Sequence, residues 1–88
     1  MKTIYKYPLE VAYQQIVAIP KGGQILSVQV QKHKPCMWVA VESDNEPESR
    51  IFEIFGTGHQ LSTRKKEFID TFQIHDGELV FHLFEVIE

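Results

Sequence analysis

The feature that most constrains this chain is a hairpin between residues 67 and 88. Two apolar runs flank Asp76-Gly77, and this dipeptide between such runs is the strongest short-range signal of a β-hairpin. A two-residue turn fixes the register of the two strands, so their cross-strand partners can be predicted. The predicted pairs are His75 with Glu78, Ile74 with Leu79, Phe72 with Phe81, Asp70 with Leu83, and Phe68 with Glu85.

Both faces of this hairpin are largely apolar, although a small antiparallel sheet usually leaves one face in water. One face carries Phe68, Phe72, Ile74, Leu79, Phe81 and Leu83. The other face carries Ile69, Thr71, Val80, His82, Phe84 and Val86. The second face needs a cover, from within the chain or from another subunit, and we expect a homo-oligomer. Its interface candidates are Ile69, Thr71, His82, Phe84 and Val86.

Composition places the chain among single-domain globular proteins. It has 88 residues, of which 43% are hydrophobic, so residues 1–88 form one domain. The net charge of −3 makes direct DNA or RNA binding unlikely. The single Cys36 fits a reducing compartment, and no stretch is long and apolar enough for a membrane span or a signal peptide. We therefore expect a cytoplasmic protein.

Turn signals recur about every eight to twelve residues, a spacing typical of a small all-β protein. We predict about six or seven mostly antiparallel strands in a meander that closes into a barrel or a two-layer sandwich. Residues 9–19 fit either a strand from Gln14 or a short helix. Ser43–Ser49 is acidic, contains a proline and is predicted to be an exposed connection. The predicted strands ahead of the hairpin are Thr3–Tyr7, Gln14–Ile19, Gln24–Gln31, Cys36–Glu42 and Arg50–Phe55.

Alternation within two of these strands predicts which side chains face the core. In the third strand Leu26, Val28 and Val30 share one face. In the fourth strand Trp38 and Ala40 lie on one face, opposite Met37, Val39 and Val41.

The best candidate site is the segment Gly56–Lys66, which has no apolar pattern. Its glycines allow close approach of a ligand to the backbone, and its hydroxyl, imidazole and cationic groups could hold phosphate oxygens. The segment lacks the spacing of a phosphate-binding P-loop. The candidate phosphate or anion ligands are Thr57, Gly58, His59, Arg64 and Lys65.

Other residues could complete such a site or act elsewhere. Tyr7 and Trp38 are candidates for stacking a nucleobase. Lys32-His33-Lys34, with Lys21, could form a phosphate-binding rim. His82 is expected to bond to Thr71. The four histidines and Cys36 lack metal-ligand spacing, so we expect no metal and no cofactor.

Several segments together resemble a family of short, uncharacterised proteins of bacteriophages and prophages: PKGGQILSVQVQ, FGTGH and TFQ…GELVFHLFEV. The resemblance implies a small protein made inside an infected or lysogenic bacterium. Small phage proteins of this sort often neutralise a host component, and one strategy is to sequester nucleotide signals of antiphage defence.

The sequence contains no pattern typical of a catalytic site, and Cys36 lies in an apolar strand where thiols are usually inert. We therefore expect a non-catalytic phage protein that sequesters a ligand, such as a nucleotide-type defence signal, between subunits. One alternative is a protein–protein inhibitor or adaptor of a host factor. A small structural protein of the virion is another.

Overall fold

The protein is built from seven strands and no helix, in a computed structural model that describes all 88 residues. The strands make two antiparallel sheets, in the orders β1-β4-β3 and β2-β5-β7-β6. Neither sheet closes on itself, so the fold is a sandwich and not a barrel. The strands are β1 (Lys2–Pro8), β2 (Gln14–Pro20), β3 (Gln24–Gln31), β4 (Lys34–Glu42), β5 (Pro47–Gly56), β6 (Lys66–Ile74) and β7 (Leu79–Val86).

Strand positions mostly follow the predictions, with two corrections. Residues 14–20 form β2, so the helical alternative for residues 9–19 is wrong; β-branched residues there favour extended backbone. Strand β5 begins at Pro47, so Pro47–Ser49 is exposed as predicted but belongs to a strand and not to the connection. Proline is tolerated because it is the first residue of the strand, where it pairs with Pro20.

The core lies between the sheets and is formed by inward-facing side chains of both. The predicted alternation of β4 is confirmed: Met37, Val39 and Val41 are buried, while Trp38 and Ala40 lie on the outer face and are half-buried. Burial of this apolar area is the main stabilising contribution to the fold. The core residues are Leu9, Ile19, Val28, Met37, Val39, Val41, Phe52, Ile54, Phe72, Ile74 and Leu83.

Two register shifts change which side chains face the core, so part of the predicted orientation is wrong. In β3 the register slips between Ile25 and Ser27, so Leu26 is 49% exposed and Ile25 packs against the core in its place. In β6 the register slips between Phe68 and Asp70. An extra residue in one strand reverses the facing of all residues beyond it.

The shift in β6 changes the predicted hairpin at its far end. The pairs Ile74–Leu79, Phe72–Phe81 and Asp70–Leu83 are confirmed, but Phe68 lies opposite Phe84 and not Glu85. Phe68 consequently moves to the outer face and is 57% exposed. Ile69, predicted to share the outer face with Thr71 and His82, instead packs against the core.

The predicted turn between β6 and β7 is present. Asp76 and Gly77 have φ angles of 55° and 89°, and the Glu78 N–H donates to the His75 carbonyl over 3.1 Å. Positive φ at both central residues is what a type I′ turn requires, and its twist matches that of the strands. His75 also has a positive φ, of 55°, so regular pairing starts at Ile74 and Leu79 and the predicted His75–Glu78 pair is not formed.

The side chain of Arg50 connects the two sheets at one end of the sandwich. Arg50 of β5 donates from Nε and Nη2 to the two carboxylate oxygens of Glu85, at 2.6 and 2.7 Å. Its Nη1 donates to the carbonyl of Gly23, which leads into β3 of the other sheet, at 2.6 Å. The guanidinium thus satisfies acceptors from both layers.

The second face of the hairpin is partly covered from within the chain by residues 57–65, which we call the strap. Ser62 Oγ donates to the fully buried Glu53 Oε1 at 2.8 Å, and Lys66 Nζ donates to the carbonyls of Ser62 and Arg64 at 2.8 and 2.6 Å. Val86 and Phe84 were predicted as interface residues. Within the single chain, Val86 is already only 8% exposed and Phe84 is half-buried.

Candidate ligand-binding groove

The segment Gly56–Lys66 begins with a tight turn that brings two of the predicted ligands together. The His59 N–H donates to the Gly56 carbonyl at 3.1 Å, and a Cβ on Gly56 would lie 3.0 Å from the His59 ring. Gly58 has a φ of 87°, so the turn uses the backbone freedom of glycine there. Thr57 and His59 therefore flank one turn at the end of β5.

The imidazole of His82 is held between two threonine hydroxyls. Its Nε2 lies 2.8 Å from Thr57 Oγ1 and its Nδ1 lies 2.9 Å from Thr71 Oγ1. The predicted bond between His82 and Thr71 is thus present. Because both ring nitrogens already have partners, this histidine orients its neighbours in the sheet.

The cations of the same segment are directed elsewhere. Arg64 donates to Glu88 Oε1 at 2.5 Å and to Gln14 Oε1 at 2.9 Å, and the hydrogen bond to Glu88 raises the pKa of Arg64. Lys65 is exposed, and its carbonyl accepts from the Ile87 N–H at 2.9 Å. The predicted phosphate ligands thus lie in separate places. Thr57, Gly58 and His59 lie in the turn after β5, whereas Arg64 holds the strap to Gln14 and Glu88.

Two shallow cavities lie on either side of His59. One, of about 370 Å³, is lined mainly by apolar residues that include Tyr13, Phe55 and Phe81. The other, of about 350 Å³, includes Thr57 and Glu78. Neither lining contains a lysine or an arginine, so these cavities suit uncharged groups better than phosphates.

The predicted base-stacking residues lie on opposite faces of the three-stranded sheet. Tyr7 packs against the core, with its ring 6.4 Å from that of Tyr5, and burial raises the pKa of Tyr7. Trp38 lies on the outer face, opposite Lys6 in the β1–β4 ladder. A single ligand cannot contact both rings through the sheet, and only Trp38 lies on the open side.

A basic groove of about 450 Å³ lies at one end of this outer face. Three lysines line it: Lys6 of β1, Lys32 of the β3–β4 turn and Lys34 of β4. Lys34 Nζ is 2.9 Å from Glu10 Oε1, whereas Lys6 and Lys32 form no ion pair. Three positive charges beside one carboxylate give the groove a net positive charge in a chain whose total is −3. The remaining lining is Pro8, Gln31 and Cys36.

The turn at the groove has a fixed position. Lys32 and His33 have φ angles of 51° and 67°, which suit a two-residue hairpin turn. The His33 ring stacks on that of His75, with 6.2 Å between centroids, so the turn also contacts the β6–β7 turn of the other sheet.

Only part of this groove was predicted from the sequence. The predicted rim contains Lys32 and Lys34, but also His33 and Lys21, which do not line the groove. Lys6 was not predicted. Alternation along β1 predicts that Lys6 points to the other side of the sheet from Tyr5 and Tyr7. Only the pairing of β1 with β4 shows that Lys6 lies next to Trp38 and near Cys36.

Polar side chains continue from the groove along the open face. Gln29 lies opposite Cys36, and Ser27 lies opposite Trp38. Amide and hydroxyl groups can both donate and accept hydrogen bonds, and an indole offers a flat surface for stacking. The face therefore combines cations, an aromatic ring and hydrogen-bonding groups.

No three His, Cys, Asp or Glu side chains converge in a way that could hold a metal ion. No helix could span a membrane.

The fold and the groove define a small two-sheet β domain with a basic groove on an open sheet face. The chain belongs to the family described as Domain of unknown function (DUF7352), whose model matches residues 1–88. Searches of curated proteins and of solved structures gave no match.

Proposed function

We propose that this protein is a non-catalytic binding protein that captures an anionic, nucleotide-type ligand in the lysine groove. The observation that supports this most strongly is the convergence of Lys6, Lys32 and Lys34 next to Trp38. Lysine ammonium groups bind phosphate oxygens as point charges, and aromatic rings stack on nucleobases of any sequence.

The open face supplies the remaining contacts that such a ligand needs. Phosphates would occupy the groove, the base would stack on Trp38, and Gln29 or Gln31 would bond to the base edge. All of these residues belong to one chain, so binding does not require a second subunit. Sequestration of a nucleotide signal during phage infection is the biological role that the family resemblance suggests for this chemistry.

Calorimetry tests the proposal directly, with linear and cyclic nucleotides and inorganic pyrophosphate as titrants. We expect micromolar or tighter binding of at least one nucleotide, weaker binding of pyrophosphate, and quenching of Trp38 fluorescence. Binding should weaken as salt is added, because exposed charges are screened. Lack of any binding below about millimolar concentration would contradict the proposal, since sequestration needs a Kd near 10⁻⁶ M, about −8 kcal/mol.

Variants separate the groove from the strap. Lys6→Ala and Lys32→Ala should each weaken binding several-fold, since neither lysine has an intramolecular ion pair. Lys65→Ala is the matched control. Lys65 is also an exposed lysine, but it lies in the connection between β5 and β6 and does not line the groove. Equal losses in Lys65→Ala and Lys6→Ala would mean that the effect is one of net charge and not of the groove.

The aromatic cavity beside His59 favours a second candidate function, inhibition of a host protein. Its rim carries Val11 and Tyr13, which are 46% and 59% exposed, and such a cavity fits an apolar side chain of a partner. If this function is correct, a host protein should co-purify with the wild type and with Lys6→Ala, but not with Tyr13→Ala. Co-purification that survives Tyr13→Ala would argue against this cavity.

A further inference from the structure

The four edge strands of the sandwich differ in how they avoid pairing with other chains. Strand β1 carries Lys2 and Lys6, and charged residues discourage edge-to-edge pairing. Strands β3 and β6 both contain register shifts, and they pack along each other at one side of the sandwich. Strand β2 has neither device: QQIVAIP contains no charge, and its register with β5 is unbroken.

The backbone of β2 is available at this edge. The Ile54 N–H donates to the Tyr13 carbonyl at 3.2 Å, so the polar groups of Tyr13 point toward β5. Alternation along an antiparallel strand then directs those of Gln14, Ile16 and Ala18 toward the open edge. The Ile16 side chain is 62% exposed on the outer face of the same edge.

We propose that β2 pairs with β2 of a second copy of this chain, which joins the two four-stranded sheets into one continuous sheet. A two-fold axis at Val17 would place Ile16 opposite Ala18 of the other copy, and these two residues would exchange N–H···O bonds. No like charges would oppose each other, because the strand has none. Pro20, which lacks an N–H, lies at the end of the ladder.

This dimer goes beyond the proposed function and leaves its groove open. The lysines lie on the outer face of the three-stranded sheet, whereas β2 is an edge of the other sheet. An interface based on one short strand falls in the small class, below roughly 1,200 Å². We therefore expect a reversible dimer whose fraction increases with concentration in the micromolar range.

Light scattering coupled to size exclusion tests the proposal on the full chain over a range of concentrations. The wild type should approach the mass of a dimer, and the amides of Ile16 and Ala18 should exchange more slowly as the dimer forms. Ala18→Pro should remain folded and become monomeric, because it removes one edge-facing N–H and no bond to β5. Ile4→Lys is the matched control: Ile4 is also an exposed isoleucine, at 56%, but on the edge strand of the other sheet.

A pair of double variants tests the register. Ile16→Lys with Ala18→Lys places like charges opposite each other and should give a monomer. Ile16→Lys with Ala18→Glu places opposite charges there and should remain dimeric. A wild type that is monomeric at all concentrations, an Ala18→Pro protein that is still a dimer, or two double variants that behave alike would each overturn the proposal. Nucleotide binding is measured on the same proteins. A monomeric protein that still binds nucleotide would show that the dimer proposal and the groove proposal stand or fall separately.

Discussion

Lys66 and Glu53 form a buried ion pair on the outer face of the four-stranded sheet. The Lys66 Nζ lies 3.5 Å from Glu53 Oε1, and the two side chains are 8% and 0% exposed. The second carboxylate oxygen, Oε2, has no hydrogen-bond partner. A buried charge is tolerated only when it is paired, so each of these residues depends on the other.

Removal of one partner should therefore cost more than removal of both. Lys66→Met leaves the Glu53 charge without a counterion and should lower the free energy of unfolding by about 3 kcal/mol. The double variant Glu53→Gln/Lys66→Met should be clearly more stable than the additive sum of the two single variants. Denaturant unfolding of all four proteins measures this coupling. Additive effects would show that the pair does not act as a unit.

Arg50 should be a main link between the two sheets. Arg50→Gln removes the bonds to both Glu85 and the Gly23 carbonyl, and we expect a loss of about 2 kcal/mol, less than for a fully buried pair because both side chains are partly exposed. Hydrogen exchange of the amides around Gly23 should also accelerate. The exposed Lys34→Gln, which breaks only a surface ion pair, should change stability by less than about 1 kcal/mol. Equal losses in the two variants would contradict the prediction.

Phe68 and Phe72 should respond very differently to the same substitution. Phe72 is 4% exposed in the core, so Phe72→Ala should cost about 3 to 5 kcal/mol. Phe68 is 57% exposed, and its main aromatic contact is an edge-to-face one with Phe84 at 5.6 Å. We expect Phe68→Ala to cost about 1 kcal/mol, since most of the side chain is already in water and the aromatic contact is the main loss. Chemical denaturation decides between them, and comparable losses would argue against the register shift in β6.

Acid should weaken the contact between the strap and the carboxyl end of the chain. The hydrogen bond from Arg64 lowers the pKa of the Glu88 carboxyl. Its stabilising effect is present above the carboxyl's ordinary pKa and is lost as pH falls through the lowered value. Arg64→Gln should return the pKa of Glu88 toward its ordinary range, as measured by NMR titration. An unchanged titration of Glu88 in this variant would show that Arg64 does not cause the shift.

Local sequence determined much of this fold. Asp76-Gly77 defined the final hairpin because both residues readily adopt the positive φ of a type I′ turn, whose twist matches that of the two strands. Alternation around Trp38 identified the buried and open faces of β4 correctly, since successive side chains of a strand point to opposite sides.

The candidate site was harder to predict because its residues are far apart in the sequence. Gly56–Lys66 has the composition of an anion site, yet Arg64 donates to Glu88 and Gln14, and Lys66 donates to two backbone carbonyls of the strap. The lysine groove forms only when β1 pairs with β4, which places Lys6 near Lys34. No local pattern specifies that pairing.

The sequence by itself determined the strands, the turns and the all-β class, because these depend on backbone preferences and on alternation between near neighbours. Only the tertiary structure decided the register shifts at Leu26 and Ile69, the burial of Glu53 and the grouping of the lysines. These features depend on which strands lie side by side, and that choice is set by packing of the whole core.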